Sequence, residues 1–307
     1  MTRISNLNQQ QTLLAQLQKT NDRAYDEQVK ISTGKNAQQY KDMPEDTGIL
    51  LAAKRVEART AGYQNTNAEL VNTLNLQDTT LSQLATSSQD LRESLLNGAS
   101  LSSGQTLMEQ VDSTFQQALS ILNTQVNGVY VFGGTKTDQP PVTAQHLNDL
   151  TLVPSAASVF ANNQQRLGVE IDTGQTLQYN FLADGVGKDL MDSLKRIADF
   201  NAGPNGPFGA QLTDVQKSFL QTESDNLKTI TENLNQVVAQ NGQLQNTVDD
   251  ANKRHEQTTT NVKGFISNIE DADVATALTN LNQDQLILQA SAKLIADLKD
   301  NSLLTYI

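Results

Sequence analysis

Proline placement is the strongest constraint on how this sequence can fold. Residues 45–139 and 208–307 contain no proline, because all six prolines stand elsewhere, at Pro44, Pro140, Pro141, Pro154, Pro204 and Pro207. Proline removes a backbone hydrogen-bond donor and disrupts the interior of a helix. The two proline-free stretches are therefore where long helices can form, and the segment between them has to be interrupted.

Apolar residues recur every three or four positions within both stretches. The first series occupies positions 70, 74, 77, 81, 84, 88, 91 and 95, of which six are leucine: Leu70, Leu74, Leu81, Leu84, Leu91 and Leu95. The second series is apolar at seven of nine positions, which are 220, 223, 227, 230, 234, 237, 241, 244 and 248. This spacing is typical of coiled-coil-like helices and predicts a long helical stem.

The two ends of the chain carry thinner versions of the same pattern. One series comprises Leu7, Leu14, Leu17, Ala24 and Ile31, and the other comprises Val274, Leu278, Leu281, Leu288, Ala292 and Ile295. An isolated helix with so narrow an apolar stripe is marginal in water. Each terminal helix is therefore expected to need a partner, which can be the other terminus, a neighbouring subunit or both.

The middle of the chain has a different pattern. Between residues 135 and 207 lie five prolines and several glycines, together with two alternating segments: Leu167, Val169, Ile171 and then Leu177, Tyr179, Phe181. Residues 172–175, with the sequence Asp-Thr-Gly-Gln, have turn chemistry, so a β-hairpin is predicted. A short helix over 187–200 is expected to follow it.

These patterns together predict a fold that is mainly α with a small α/β insertion. We expect a long antiparallel coiled-coil-like helical stem, paired N- and C-terminal helices, and an outward-projecting central domain. The predicted segments are an N-terminal assembly helix paired with a C-terminal one (1–40 and 265–307), two halves of the stem (41–134 and 208–264) and a variable insertion (135–207).

Charge and composition exclude several classes of protein. The net charge is −12 and the pI about 4.6, which argues against binding nucleic acid or anionic membranes, because both require clustered Lys and Arg. There is no cysteine. The first eight residues lack the apolar core of a signal peptide, and no apolar run is long enough to span a membrane. If the chain leaves the cell, we expect export without a cleaved signal.

The candidate sites for chemistry are weak. His146 and His255 are the only histidines, and neither stands in a metal-binding or nucleophile motif; His255 is interpreted as a solvated surface residue.

Glycines occur in pairs at 133–134 and at 185 and 187, without the third glycine or the Gly-Lys-Ser/Thr of a nucleotide loop. They are interpreted as a helix exit and as a turn between hairpin and helix. Glu270, Asp271 and Asp273 do not fit a calcium loop, and we interpret them as a turn or helix start. We predict no catalytic residue, no cofactor and no metal, and hence no enzyme.

Three short motifs resemble those of one family. Ile31-Ser-Thr-Gly-Lys35 precedes Asp42-Met-Pro-Glu-Asp46 and Ile49-Leu-Leu-Ala52, and Asn268-Ile-Glu-Asp-Ala-Asp-Val-Ala275 stands near the other end. Both are similar to segments of flagellins and of hook-associated protein 3, although Met43 replaces a usual Asp. The third, Asn127-Gly-Val-Tyr-Val-Phe-Gly-Gly-Thr-Lys136, resembles an element of the hook–filament junction proteins, with Val129 in place of a usual Arg. The final Leu304-Thr-Tyr-Ile307 is also more like junction proteins than flagellins.

The resemblance implies a structural role in the bacterial flagellum. Members of this family pair their terminal helices in an inner domain, assemble through them, and are exported through the flagellar secretion channel without signal cleavage. The implied partners are copies of the chain in a ring or short layer, a neighbouring hook-associated protein, flagellin, the export apparatus and a cytoplasmic chaperone. The expected location is extracellular, at the hook–filament junction. Two alternatives stay open: a flagellin that builds filament, and a surface adhesion module that uses residues 135–207.

The residues expected to form the assembly contacts come from the two terminal stripes. They are Leu7, Leu14, Leu17, Ile31, Leu281, Leu288, Ala292 and Ile295. The alternative interpretation is that these residues only close a coiled coil within one chain.

Overall fold

The structure is a computed structural model that describes residues 2–300, with side chains described at residue 8 and from 11 to 297. Its helices are α1 (Thr2–Thr33), α2 (Thr47–Leu101), α3 (Leu107–Leu122), α4 (Leu147–Thr151), α5 (Ala183–Ala202), α6 (Asp214–Glu270) and α7 (Val274–Asp300). Two small antiparallel sheets are formed by β1 (Gln125–Val126) with β2 (Val129–Tyr130), and by β3 (Gly168–Asp172) with β4 (Gln175–Gln178). The prediction of a mainly α fold with a small α/β insertion is confirmed.

The chain divides into two compact units. Thr60–Glu256 form one, which we call the stem unit, and Met1–Arg59 with Gln257–Ile307 form the other, which we call the terminal unit. The long helices α2 and α6 each contribute to both. The five segments predicted from the sequence stay a prediction.

Within the stem unit, α2 and α6 pack side by side in opposite directions. Asn67 near the start of this part of α2 donates from Nδ2 to Oδ1 of Asn252 (2.9 Å), whereas Ser88, further along, accepts from Thr231 Oγ1 (3.0 Å). All eight positions of the first predicted stripe are buried, and so are seven of the nine positions of the second. The antiparallel stem follows directly from this spacing, because side chains three and four positions apart share one face of a helix.

Glu223 is one of the two positions of the second stripe that are not apolar. It is nevertheless buried, for a different reason. Its carboxylate accepts from Arg196 Nε (2.7 Å) and Nη2 (2.9 Å) and from Ser193 Oγ (2.8 Å), both on α5. A buried carboxylate is tolerated when it is paired and fully hydrogen-bonded. This position therefore fixes α5 against α6 instead of contributing to the apolar seam.

Residues 41–134, the predicted first half of the stem, contain two α-helices with a break between them. Helix α2 ends at Leu101, where Ser102 adopts a positive φ of 55°. Helix α3 then runs back along α2, with Ser87 Oγ donating to Gln117 Oε1 (2.8 Å). Gly104 allows this turn to lie close to the neighbouring loop, since a Cβ there would be 2.8 Å from both Leu212 and Phe208. The break was not visible in the sequence because it contains no proline.

The insertion contains both predicted elements, with shifted bounds. Strands β3 and β4 form the predicted hairpin, in which Val169 faces Leu177 and Asp172 faces Gln175. The interpretation of the glycine pairs was wrong. Gly185 and Gly187 lie inside α5, which begins at Ala183, and Gly133-Gly134 come well after α3 ends at Leu122.

The interpretation of His255 as a surface residue was also wrong. Its side chain is 4% exposed, its Nε2 lies 2.8 Å from the carbonyl oxygen of Ile171, and its ring stacks on Tyr63 with centroids 5.4 Å apart. The β3–β4 hairpin covers α6 at this point. Since this is a contact between residues 84 apart in sequence, helix periodicity could not reveal it.

Candidate assembly site

The terminal unit is built on a pair of antiparallel helices, α1 and α7. Arg23 in α1 forms an ion pair with Asp284 in α7 (Nη2 to Oδ1, 2.6 Å). Lys35, just after α1, forms a β-bridge with Asp271, just before α7. The predicted pairing of the N- and C-terminal helices is confirmed over these residues.

Small side chains form the buried part of this helix pair. Thr20, Ala24 and Ala277 are buried, together with the carboxylate of Asp284. These side chains bury little apolar area, so the pair gains only a modest hydrophobic stabilisation. The thin stripes seen in the sequence thus correspond to a thin interface within the chain.

The predicted assembly residues do not share one environment. Leu17, Ile31, Leu281, Leu288 and Ile295 are half-buried, whereas Leu14, at 52% exposure, and Ala292 are exposed. The side chain of Leu7 lies outside the described residues. On α7, Leu281 and Leu288 lie three or four positions from the buried Ala277 and Asp284 and therefore share their helix face. Leu281 and Leu288 therefore also contribute to the packing of α7 against α1 within one chain.

Other apolar side chains of the terminal unit are exposed as well. Leu286 is 67% exposed and Leu294 53% exposed, and Tyr25 on α1 is 67% exposed. Val274, Leu278 and Ile287 are also exposed. Leu286, Ile287 and Leu294 lie off the single stripe predicted for this helix and were therefore not among the predicted assembly residues. The signal that could have found them is the second apolar face that they give to α7.

The loops that follow α1 and precede α7 are joined by backbone and amide hydrogen bonds. Asn36 donates from its backbone N to Glu270 O (2.7 Å), and from Nδ2 to Ile269 O (2.9 Å) and Asp271 O (3.0 Å). Ala272 N donates to Gly34 O (2.9 Å). Gly34 has a φ of 68°, which glycine adopts without strain. Two of the three sequence motifs, those at residues 31–35 and 268–275, are therefore direct partners.

Two lysines complete this junction. Lys35 Nζ lies 2.6 Å from Asp271 Oδ1 and 3.5 Å from Glu270 Oε2, and Lys54 Nζ contacts Glu270 Oε1. We call Lys35, Asn36, Lys54, Glu270 and Asp271 the terminal clasp. Its ion pairs are charge-assisted hydrogen bonds that tie the start of α2 and the end of α6 to the loops.

The ion pairs of the terminal clasp shift the pKa of every charged member. Hydrogen bonding from Lys54, with a further contribution from Lys35, lowers the pKa of Glu270. Hydrogen bonds from Lys35 and then Ser267 lower the pKa of Asp271. The carboxylates in turn raise the pKa of Lys35, chiefly through Asp271, and that of Lys54, chiefly through Glu270. All four groups are thus held in their charged forms.

Asp273 immediately precedes helix α7. Its Oδ1 accepts from the backbone N of Ala275 (3.0 Å) and of Thr276 (3.1 Å), as an N-cap does. Hydrogen bonds from Thr276 lower the pKa of this carboxyl. The interpretation as a helix start is confirmed for Asp273, whereas Glu270 ends α6 and Asp271 forms the β-bridge with Lys35. Among the side chains that the structure describes, no three His, Cys, Asp or Glu residues are grouped to hold a metal ion.

The C-terminal part of the chain is similar to a known protein family. Residues 216–307, which include most of α6, two residues of the terminal clasp and α7, match the family model of the bacterial flagellin C-terminal helical region. This part of the chain is flagellin-like. The resemblance to flagellins seen in the motif at residues 268–275 is confirmed.

Two solved structures are similar in fold to this chain. A structure described as a flagellar hook-associated protein from Vibrio parahaemolyticus has a TM-score of 0.61 and 20% identity, and the match covers 75% of this chain and 100% of that one. The crystal structure of Bacillus cereus FlgL has a TM-score of 0.56 and 14% identity, with 69% and 97% covered. No curated protein sequence matches the chain. Over residues 2–300, no helix is long and apolar enough to cross a membrane.

Proposed function

We propose that this chain is a structural subunit of the bacterial flagellum that joins the hook to the filament. The observation that carries the proposal is the terminal unit itself. Two long helices, of which α7 lies in the region that matches flagellin, pair through small side chains and leave several large apolar ones exposed. Exposed apolar surface of this kind marks a site for another protein surface.

The partner at this surface is a second copy of the chain. Neighbouring copies would cover Leu7, Leu14, Leu17 and Ile31 from α1, and Leu281, Leu288, Ala292 and Ile295 from α7. The exposed Leu286 and Leu294 give α7 a second apolar face that such copies would also cover. Contacts between different patches on each copy are heterologous and generate a ring or a helical layer.

The choice of the junction over the filament rests on the sequence around Tyr130 and on the fold. Residues 127–136 resemble an element of hook–filament junction proteins, and one of the two compared structures is described as a flagellar hook-associated protein. In this role the chain has flagellin on one side and a hook-associated protein on the other. Its function is mechanical, through assembly and without catalysis.

Export completes the proposal. The chain would leave the cell through the flagellar secretion apparatus with the help of a cytoplasmic chaperone and without a cleaved signal peptide. A thin terminal helix pair supports this route, because it costs little to open before passage. In the assembled flagellum the protein would be extracellular.

The second candidate function is that of a flagellin, and the match of residues 216–307 favours it. Seeded assembly distinguishes the two. Purified protein is added to short filament fragments and to isolated hooks, and the added length is measured by electron microscopy. A layer of limited length is expected of a junction subunit. Filaments that elongate in proportion to the protein supplied would instead identify a flagellin, and failure to add to either end would overturn both.

A further inference from the structure

Amide side chains interrupt the apolar seam of the stem unit at the midpoint of its two long helices. Gln77 in α2 and Asn241 in α6 are both fully buried. They occupy positions of the two stripes that are otherwise mostly apolar. Asn241 Nδ2 donates to the carbonyl oxygen of Leu74 (2.9 Å), so its side chain lies against α2 near Gln77.

The apolar core is divided at the same place. On one side, Leu81, Leu84, Leu227 and Leu234 belong to the main cluster of the stem unit. On the other side, a smaller cluster contains Leu70, Leu74, Ile171, Val248 and Ala251. Among the described residues, only the partly buried Leu244 packs against both clusters. The seam is therefore two apolar segments with a polar layer between them.

The polar layer is incompletely hydrogen-bonded. Both Nε2 and Oε1 of Gln77 and Oδ1 of Asn241 are buried without a partner among the described residues. Buried polar groups are nearly always paired, because an unpaired one loses its hydrogen bonds to water without replacement. Opening of the helices at this layer returns these groups to water, so it costs less here than elsewhere in the seam.

Gly242, next to Asn241, is the central residue of α6. A Cβ built at this position meets no atom within 4 Å, so close packing does not require glycine here. Glycine in a helix interior is less favourable than alanine because more backbone freedom is lost on folding. A residue of low helix propensity thus stands beside the polar layer.

We propose that Gln77, Asn241 and Gly242 form a bending joint in the middle of the stem. The two apolar segments stay packed while the helices open and bend between them. This inference concerns the stem unit alone and does not rest on the proposed function. In a mechanical protein the joint would allow bending without loss of the fold.

Hydrogen exchange tests the joint in the intact chain. In the wild type, amides of residues 74–80 and 239–245 should exchange faster than those of 84–91 and 227–234. Gly242→Ala should slow exchange at 239–245 by about fivefold, because alanine favours the helix and fits the open space. Gly62→Ala is the matched control, since its Cβ position is equally open, and it should leave these rates unchanged. Equal protection along the wild-type seam would overturn the proposal.

A distance measurement tests the bending itself. The chain has no cysteine, so spin labels can be attached to Asn65→Cys and Asn97→Cys, two exposed positions on α2 about 48 Å apart along a straight helix. Gly242→Ala, and separately Gln77→Leu with Asn241→Leu, should narrow the distance distribution. If Gly242→Ala changes neither the width of the distance distribution nor the hydrogen-exchange rates, there is no joint at this layer. The glycine variant alone decides the matter if the leucine pair impairs folding.

Discussion

Lys35 and Asp271 form an ion pair of 2.6 Å (Nζ to Oδ1) although they lie 236 residues apart in the sequence. Each stands in one of the two terminal motifs that resemble flagellin, so the structure explains why both motifs are present. They are the two halves of the terminal clasp. The clasp joins the loops at the ends of α1 and α7, and it positions the helix pair that we propose as the assembly site.

The terminal clasp should depend most on Glu270, which pairs with both Lys35 and Lys54. Glu270→Gln removes the charge and keeps the shape, and we expect the free energy of unfolding to fall by about 1 kcal/mol or less, as for other partly exposed ion pairs. Urea unfolding followed by circular dichroism measures the change. Glu232→Gln, in a solvent-exposed pair with Lys228 at 4.0 Å, is the control and should change nothing.

The contribution of the clasp should also depend on pH. The pKa values of Glu270 and Asp271 are lowered from their ordinary values of 4.5 and 3.8, so their stabilisation is complete above these values and is lost as pH falls through the lower, folded-state ones. The pKa values of Lys35 and Lys54 are raised from 10.5, so their contribution is lost only as pH rises above that value. The difference in thermal midpoint between wild type and Glu270→Gln should therefore be constant from about pH 5 to pH 10. It should shrink below pH 4. If the difference in thermal midpoint is as large at pH 3 as at pH 5, the ion pairs of Glu270 do not stabilise the fold in the way proposed.

His255 should stabilise the stem unit by holding the β3–β4 hairpin. His255→Ala removes the hydrogen bond to Ile171 O and the stack on Tyr63, at an expected cost of about 2 kcal/mol. Urea unfolding measures the loss, and faster amide exchange in residues 168–178 localises it. His146→Ala, at an exposed position, is the control. Equal effects of the two substitutions would show that His255 has no special role.

Gly187 should be intolerant of any side chain. An added Cβ would lie 2.5 Å from Cδ1 of Leu122, and Leu122 is fully buried and has little room to move. Gly187→Ala is expected to destabilise the chain by about 1 to 3 kcal/mol through overpacking between α3 and α5. Gly185→Ala, two residues earlier in the same helix and open to space, should be neutral or slightly stabilising. Comparison of the thermal midpoints of the two variants separates the effect of overpacking from the effect of helix propensity.

Removal of either terminal helix should abolish assembly without unfolding the stem unit. Deletion of residues 1–30 or 278–307 takes away one member of the pair α1 and α7, whereas Thr60–Glu256 form a compact unit with its own core. The truncated chains should be soluble monomers with a cooperative thermal transition. Light scattering and circular dichroism provide the two measurements. Global unfolding after either deletion would contradict the division into two units.

Several features could be predicted from the sequence because they depend on local spacing. The stripe from Leu70 to Leu95 is buried at every position, and the hairpin around Gly174 forms where alternation and turn residues indicated it. Asp273 caps a helix because a carboxylate near free backbone N–H groups is favourable in any context. Such features need no knowledge of distant residues.

Other features required contacts between distant residues. His255 has charged sequence neighbours, and only the hairpin that covers it makes it buried. Gly187 looks like part of a turn until α3 is seen against it. The predicted assembly set illustrates the same limit. The spacing of Leu281 and Leu288 is visible in the sequence, but not that the small Ala277 on the same helix face is more deeply buried than either.

The sequence by itself determined where helices form, which face of each is apolar, and that the terminal stripes are thin, because helix geometry converts spacing into faces. Only the tertiary structure decided which faces meet. It brought Lys35 to Asp271, turned α3 back along α2, and placed a polar layer across the seam at Gln77 and Asn241. The physical reason is that packing and ion pairing act through space between residues far apart in the chain, and spacing along the chain carries no record of those distances.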